Sequence, residues 1–190
     1  MDVVVIHGAP GCGKTTLAGL LHERLKSPWF EFGWIPEFTR RNPHTEISGR
    51  EEEQLSFENL VLVARNYIRH GFENIILSDL DDVRLLDIAR EFRGTPHLIV
   101  TLYAEDSDRI RRRILAREGE NTYKDWAQAQ RINGMILARP PLPNEVRFRV
   151  DGQTPENLAA QALALLGRHR HEDGDLSIYR REDYYSYNQE

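Results

Sequence analysis

"VVVIHGAPGCGKTT", residues 3–16, carries both a fold signal and a chemical one. Val3 to Ile6 is a short β-branched apolar run bounded by glycine, which predicts a buried strand over residues 2–7. From Lys14 to Lys26, Leu17, Leu20 and Leu21 recur at helical spacing and predict a helix. Between the two, Gly8, four residues and then Gly13-Lys14-Thr15 satisfy the pattern G-x-x-x-x-G-K-[ST]. Glycines at such a turn let successive N–H groups point at one anion without Cβ clashes, at the positive end of the helix that follows. A lysine there reaches terminal phosphates, and the adjacent threonine hydroxyl can take a place on Mg²⁺. The residues Gly8, Ala9, Pro10, Gly11, Cys12, Gly13, Lys14, Thr15 and Thr16 are therefore expected to hold a nucleotide polyphosphate, with ATP and Mg²⁺ as the implied cofactors.

The chain continues as an alternation of the same two periods. Residues 27–38, "SPWFEFGWIPEF", read as a connection and a short second strand ending near Pro36. Ser48 and Glu51 have capping-box spacing and open a helix to about His70, with Phe57, Leu60, Ala64 and Tyr67 on one face. A third strand is expected over residues 73–80, a helix over 82–92, and a fourth strand over 97–104. An arginine-rich helix begins near Ser107, and a further helical stretch covers about 123–137. A fifth strand at "VRFRVDG" leads to Thr154 and Pro155, which have N-cap and N1 chemistry for a last helix to about Leu166. Strands alternating with crossover helices predict an α/β fold whose mostly parallel sheet of about five strands is covered on both faces.

The 190 residues fit one domain, read here as 1–167, followed by a charged tail at 168–190 that holds four of the seven tyrosines. That tail reads first as a partly disordered terminus, with a docked segment or a partner contact as the alternatives. Twenty-five basic residues against 30 acidic ones give a net charge of −5. This argues against broad affinity for nucleic acid or membrane, so phosphate chemistry has to be focused in a local site. No apolar run approaches a bilayer span, and a single cysteine forms no internal disulfide, which makes the cytoplasm the expected location. Nothing in the pattern distinguishes a monomer from a homodimer.

Asp79 is expected at the carboxyl end of the third strand, where open parallel sheets bind ligands, and a carboxylate there can hold Mg²⁺ opposite Thr15. Asp81 and Asp82 compete for that role, and all three could instead cap the next helix. Cys12 reads first as a small tolerated loop residue, although a helix N-terminus beside Lys14 could depress its thiol pKa. The guanine-reading Asn-Lys-x-Asp and the switch Asp-x-x-Gly of regulatory GTPases are absent from the sequence.

The loop, "GFENIILSDL" at 71–80, the arginine-rich helix and "VDGQTPENLAAQALALL" at 150–166 together resemble the P-loop kinases that include nucleoside monophosphate, shikimate-type and ribosylnicotinamide-type kinases. The resemblance implies a three-layer P-loop NTPase fold and transfer of the γ-phosphate of ATP to a small-molecule acceptor. A nucleoside- or nucleotide-like acceptor leads; a sugar, a shikimate-like acid or an antibiotic hydroxyl, and a non-catalytic ATP-binding module, stay open. It also implies a metal-binding role for Asp79 with Thr15, and for Asp79 a place beside the substrate. Glu37-Phe38-Thr39-Arg40 looks like the Pro-Glu-aromatic-x-Arg of ribosylnicotinamide-type kinases, which implies that Glu37 orients the acceptor hydroxyl and that Arg40 or Arg41 steadies the acceptor. On the arginine-rich helix Ile110, Ile114 and Arg117 are expected on one buried face with Arg113 flanking it, and the resemblance implies that Arg113 and Arg117 are lid arginines clamping the phosphoryl group beside Lys14, with a short lid at about 113–130. The monophosphate kinases continue their third strand with Asp-Gly-x-Pro-Arg, whereas this chain has Asp79-Leu80-Asp81-Asp82-Val83-Arg84. A phosphate-binding role for Arg84 is therefore not implied.

Overall fold

The computed structural model describes residues 1–34, 47–117 and 123–186. Five strands, β1 (Val3–Gly8), β2 (Trp29–Glu31), β3 (Ile75–Ser78), β4 (His97–Tyr103) and β5 (Glu145–Arg149), form one parallel sheet in the order β2-β3-β1-β4-β5. Among the described residues six α-helices accompany it: α1 (Lys14–Leu25), α2 (Gly49–Arg69), α3 (Arg84–Glu91), α4 (Ser107–Leu115), α5 (Trp126–Ala138) and α6 (Pro155–Leu166).

β1 shows why its sequence is apolar without alternation. Val4 and Ile6 pack on one face with Leu17 and Leu21 of α1, Ile110 and Ile114 of α4, and Leu158 of α6. Val3 and Val5 pack on the other face with Phe57 and Leu60 of α2 and Leu85 and Ile88 of α3. A central parallel strand is buried on both faces, so both residue sets must be hydrophobic.

The end signals act locally as their chemistry requires. The Ser48 hydroxyl accepts from the Glu51 N–H while the Ser48 N–H donates to the Glu51 carboxylate at 2.8 Å. Thr154 caps α6 through the Asn157 N–H, with Pro155 in the first turn. β2 ends earlier than the sequence suggests. It stops at Glu31, and Phe32–Trp34 form a 3₁₀ turn, because Gly33 breaks the run before Pro36 is reached.

The tail is a docked element through residue 186. Tyr184 is fully buried in the cluster under α2 and α3, and Tyr185 is buried in the cluster on the opposite face. A disordered terminus does not describe these residues. Two adjacent aromatic rings enter different halves of the core, which outweighs the segment's charge.

Candidate functional site

Because β1 lies directly between β3 and β4, the loop after β1 and the turn after β3 meet at the carboxyl edge of the sheet. The loop's shape depends on its glycines. Gly8, Gly11 and Gly13 have φ of +140°, +87° and +100°, and a Cβ on Gly8 would stand 2.4 Å from the Leu102 carbonyl oxygen. No side chain caps α1, and its first turn holds no acidic residue. Its first N–H groups therefore face the loop without an internal partner, as an anion site requires.

Around this cradle is a cavity of about 490 Å³ lined by Lys14, Thr15, Glu31, Asp79, Arg113 and Arg117, among others. Asp79 lies immediately after β3 and holds a left-handed backbone at φ 64°, a conformation that aspartate tolerates better than most residues. This turn brings its carboxylate to 3.6 Å from Lys14 Nζ. Thr15 donates its hydroxyl proton to Glu31 Oε1 at 2.8 Å, which leaves the Thr15 oxygen lone pairs for a cation. Thr15, Glu31 and Asp79 make a set of hard oxygen donors beside a phosphate cradle, and that chemistry fits Mg²⁺ shared with a nucleotide. Among the described residues no group of three or more His, Cys, Asp or Glu forms a metal cage by itself; His169 and His171 instead bond to Asn144.

A second cavity of about 260 Å³ shares Pro10, Lys14 and Asp79 with the first and extends to His7, Phe32, Glu53, Asp81, Asp82, Ile132 and Tyr185. Its floor is a buried charge network. Arg139 donates from Nε and Nη2 to Asp82 at 2.7–2.9 Å and from both terminal nitrogens to Glu145 at 2.8 and 3.0 Å. His7 Nε2 stands 3.0 Å from Asp82 Oδ1. Burial alone would raise the Asp82 pKa, but the His7 ring and the Arg139 guanidinium outweigh it and hold the carboxyl at about 2. Asp82 is thus committed to Arg139 and is not available for a metal, which corrects one of the alternatives for that role.

A third, smaller cavity of about 110 Å³ lies on the far side of the loop, between Arg109 and Arg113 on one wall and Val150, Pro155 and Leu158 on the other. Arg109 Nε is buried there without a hydrogen-bond partner among the described residues.

Several expected site residues come together and others do not. The loop residues, Asp79, Arg113 and Arg117 share one cavity, but α4 ends at Leu115, so Arg117 lies beyond the helix and is exposed rather than on its buried face. Arg113 is also exposed. Glu37, Arg40 and Arg41, and part of the expected lid, lie outside the described residues. Arg84 is held by Glu53, Gln54 and Asp87, a structural role. Cys12 is buried, and burial pushes its thiol up to about 11 despite Lys14 and Arg113 nearby, the opposite direction from the depressed thiol that a helix N-terminus beside a lysine suggested. Glu31, Arg109, Tyr123 and Tyr185 were not anticipated. Glu31 sits at the carboxyl end of a strand, and the rule that singled out Asp79 applies to it equally.

A family model described as AAA domain matches residues 3–162. No curated protein sequence matches the chain. Among solved structures the chain is similar to a sugar kinase from Janibacter sp., 20% identical over 87% of this chain and 94% of that one, with a TM-score of 0.63. It is also similar to a gluconokinase from Sinorhizobium meliloti, 17% identical over 87% and 91%, TM-score 0.60. A thymidylate kinase from Candida albicans is 15% identical over 87% and 90%, TM-score 0.57. These likenesses show a shared fold.

Proposed function

We propose, from the premise that the chain belongs to the AAA domain family, that it is an ATP- and Mg²⁺-dependent kinase acting on a hydroxyl of a small molecule. The observation that carries this reading is the junction of the two cavities at Lys14 and Asp79. One cavity has the charge and N–H groups for a polyphosphate, and the other has room for an acceptor in line with its terminal phosphate.

The α1 N-terminus and Lys14 would hold the phosphates, and the cleft between Arg109 and Pro155 would take the base. Thr15 and Asp79 would hold Mg²⁺, which neutralises charge on the transferring group, with Glu31 fixing the Thr15 hydroxyl. Arg113 and Arg117 would close over the phosphoryl oxygens with paired N–H bonds. Glu37 is retained as the residue that orients the acceptor hydroxyl, with Arg40 or Arg41 beside it. Such an arrangement works by positioning and electrostatics and asks for no covalent intermediate.

The acceptor cavity favours a neutral compound. Its lining includes four carboxylates, Glu53, Asp79, Asp81 and Asp82, which disfavour an anionic acceptor. A nucleoside or sugar therefore suits it better than a nucleoside monophosphate or a hydroxy acid. The test is ATP-dependent ADP release with separate pools of nucleosides, sugars, hydroxy acids and nucleoside monophosphates. Stimulation by a neutral pool, lost by about 100-fold or more in Lys14→Met, is expected; no stimulation by any pool would overturn the kinase reading.

A further inference from the structure

The second cavity has one wall that comes from outside the AAA domain match. The matched residues end at 162, yet Tyr185 lines the acceptor cavity. The tail reaches that place along a series of fixed points. Asn144 exchanges two hydrogen bonds with the Glu172 backbone at 2.9 and 3.0 Å, the Gly94 N–H donates to Asp173 at 2.9 Å, and the Tyr179 hydroxyl donates to the Pro141 carbonyl at 3.0 Å. Arg181 pairs with Asp87 at 2.6 Å. Tyr184 then packs its ring under the Arg139 guanidinium, 4.6 Å away, and the Val83 N–H donates to the Tyr185 carbonyl at 2.9 Å.

From Tyr185 a chain of hydrogen bonds links the two cavities. Gln128 Nε2 donates to the Tyr185 hydroxyl at 2.8 Å, and the Tyr123 hydroxyl donates to Gln128 Oε1 at 2.7 Å. Tyr123 lines the phosphate cavity. A neighbouring cavity of about 560 Å³ shares Glu53 with the acceptor cavity and is lined by Ser186, the next tail residue. Tyr185 is one of the side chains that bound the acceptor cavity of about 260 Å³, just below the range of roughly 300–1,000 Å³ common for small-molecule sites.

We propose that the docked tail completes the acceptor site and that Tyr185 is a specificity-determining residue. Its ring bounds the cavity so that it takes a compact uncharged polyhydroxyl compound of one or two rings, and its hydroxyl holds the ring in place through Gln128. This rests on the kinase reading for the identity of the second cavity. A tyrosine suits the position because it offers a large rigid face with few rotamers and one polar handle.

The test uses the full chain and two probes, D-ribose and uridine, titrated by calorimetry into protein saturated with MgADP, with MgADP affinity measured separately. In the wild type at least one probe binds. Tyr185→Ala weakens that probe at least tenfold and Tyr185→Phe two- to fivefold, since phenylalanine keeps the ring and loses the Gln128 bond. MgADP affinity changes less than twofold in both. Probe affinity unchanged in Tyr185→Ala, or probe and MgADP affinity falling together in Tyr185→Phe, would overturn the assignment. A wild type that binds MgADP and neither probe would overturn the acceptor class and the role of Tyr185 with it. Failure to bind MgADP at all would overturn the nucleotide site on which the kinase reading stands, a result separable from the others.

Discussion

Replacing Arg139 by methionine keeps much of the side chain's volume and removes its charge from between two carboxylates. Arg139, Asp82 and Glu145 side chains are all fully buried. Glu145 would keep the Thr101 hydroxyl and the Leu142 N–H, both at 2.7 Å, and the Arg147 guanidinium at 3.4 Å, whereas Asp82 would keep His7 at 3.0 Å and lose its permanent cation. Removing one member of a buried ion pair costs about 3–5 kcal/mol, a large part of the roughly 5–15 kcal/mol that holds a domain together. For a chain of this size that is a fall in Tm of roughly 6–20 °C, at about 2–4 °C per kcal/mol. The pH dependence gives the test its sign. In the wild type Asp82 has a depressed pKa of about 2, so its contribution is present above the unfolded value near 3.9 and is lost as pH falls toward 2. In Arg139→Met the His7 contact remains but the guanidinium is gone, so the Asp82 pKa moves back up toward its unfolded value and the variant gains less stability than the wild type as pH rises. Urea unfolding at pH 4 and pH 7 should therefore show a gap between the two proteins that widens at pH 7. Adding Asp82→Asn and Glu145→Gln should recover at least about half of the loss, since whole buried networks can be neutralised at little cost. A loss below about 1 kcal/mol, or a gap independent of pH, would refute the view that Arg139 neutralises this floor.

Two further perturbations address the loop. The Cys12 thiol, pushed from 9.0 to about 11 by burial, should react with iodoacetamide at pH 8 about a hundredfold more slowly than an unshifted thiol, because the thiolate is the nucleophile. The rate should keep rising beyond pH 10, and a plateau below pH 9.5 would contradict it. Gly8→Ala should cost more than about 2 kcal/mol in urea unfolding, since its Cβ would meet backbone, the Leu102 carbonyl, at 2.4 Å and no side chain can move aside. A loss under about 0.5 kcal/mol would mean that β1 and β4 shift to make room.

The fold was legible because its signals are local or periodic. The apolar run at 3–6, the capping box at Ser48 and Glu51, and Thr154-Pro155 each act within a few residues, and their order along the chain implies parallel strands covered by helices. In the candidate site, the loop's shape was written in glycine spacing, and the place of Asp79 beside Lys14 was marked by its position at a strand end. What the sequence concealed depends on distances across the fold. Glu31 could have been found by the strand-end rule, but its significance comes from Thr15, 16 residues away in sequence and 2.8 Å away in space. Asp82 resembled Asp79 in sequence, and only the arrival of Arg139 from the end of α5 separates their surroundings. The tail was the least legible segment, because its composition is that of a solvated terminus and its attachment depends on two consecutive tyrosines. Tyr184 covers Arg139, Arg139 fixes Asp82, and Asp82 forms the floor of the cavity that Tyr185 walls. The tail is therefore coupled to the acceptor side through the same network that makes that floor stable, while the nucleotide side rests on β1 and α1. On the proposed reading, sequence change in the tail would act first on acceptor choice and would reach the phosphate cavity only through Gln128 and Tyr123, and the loop motif alone could not have named the acceptor.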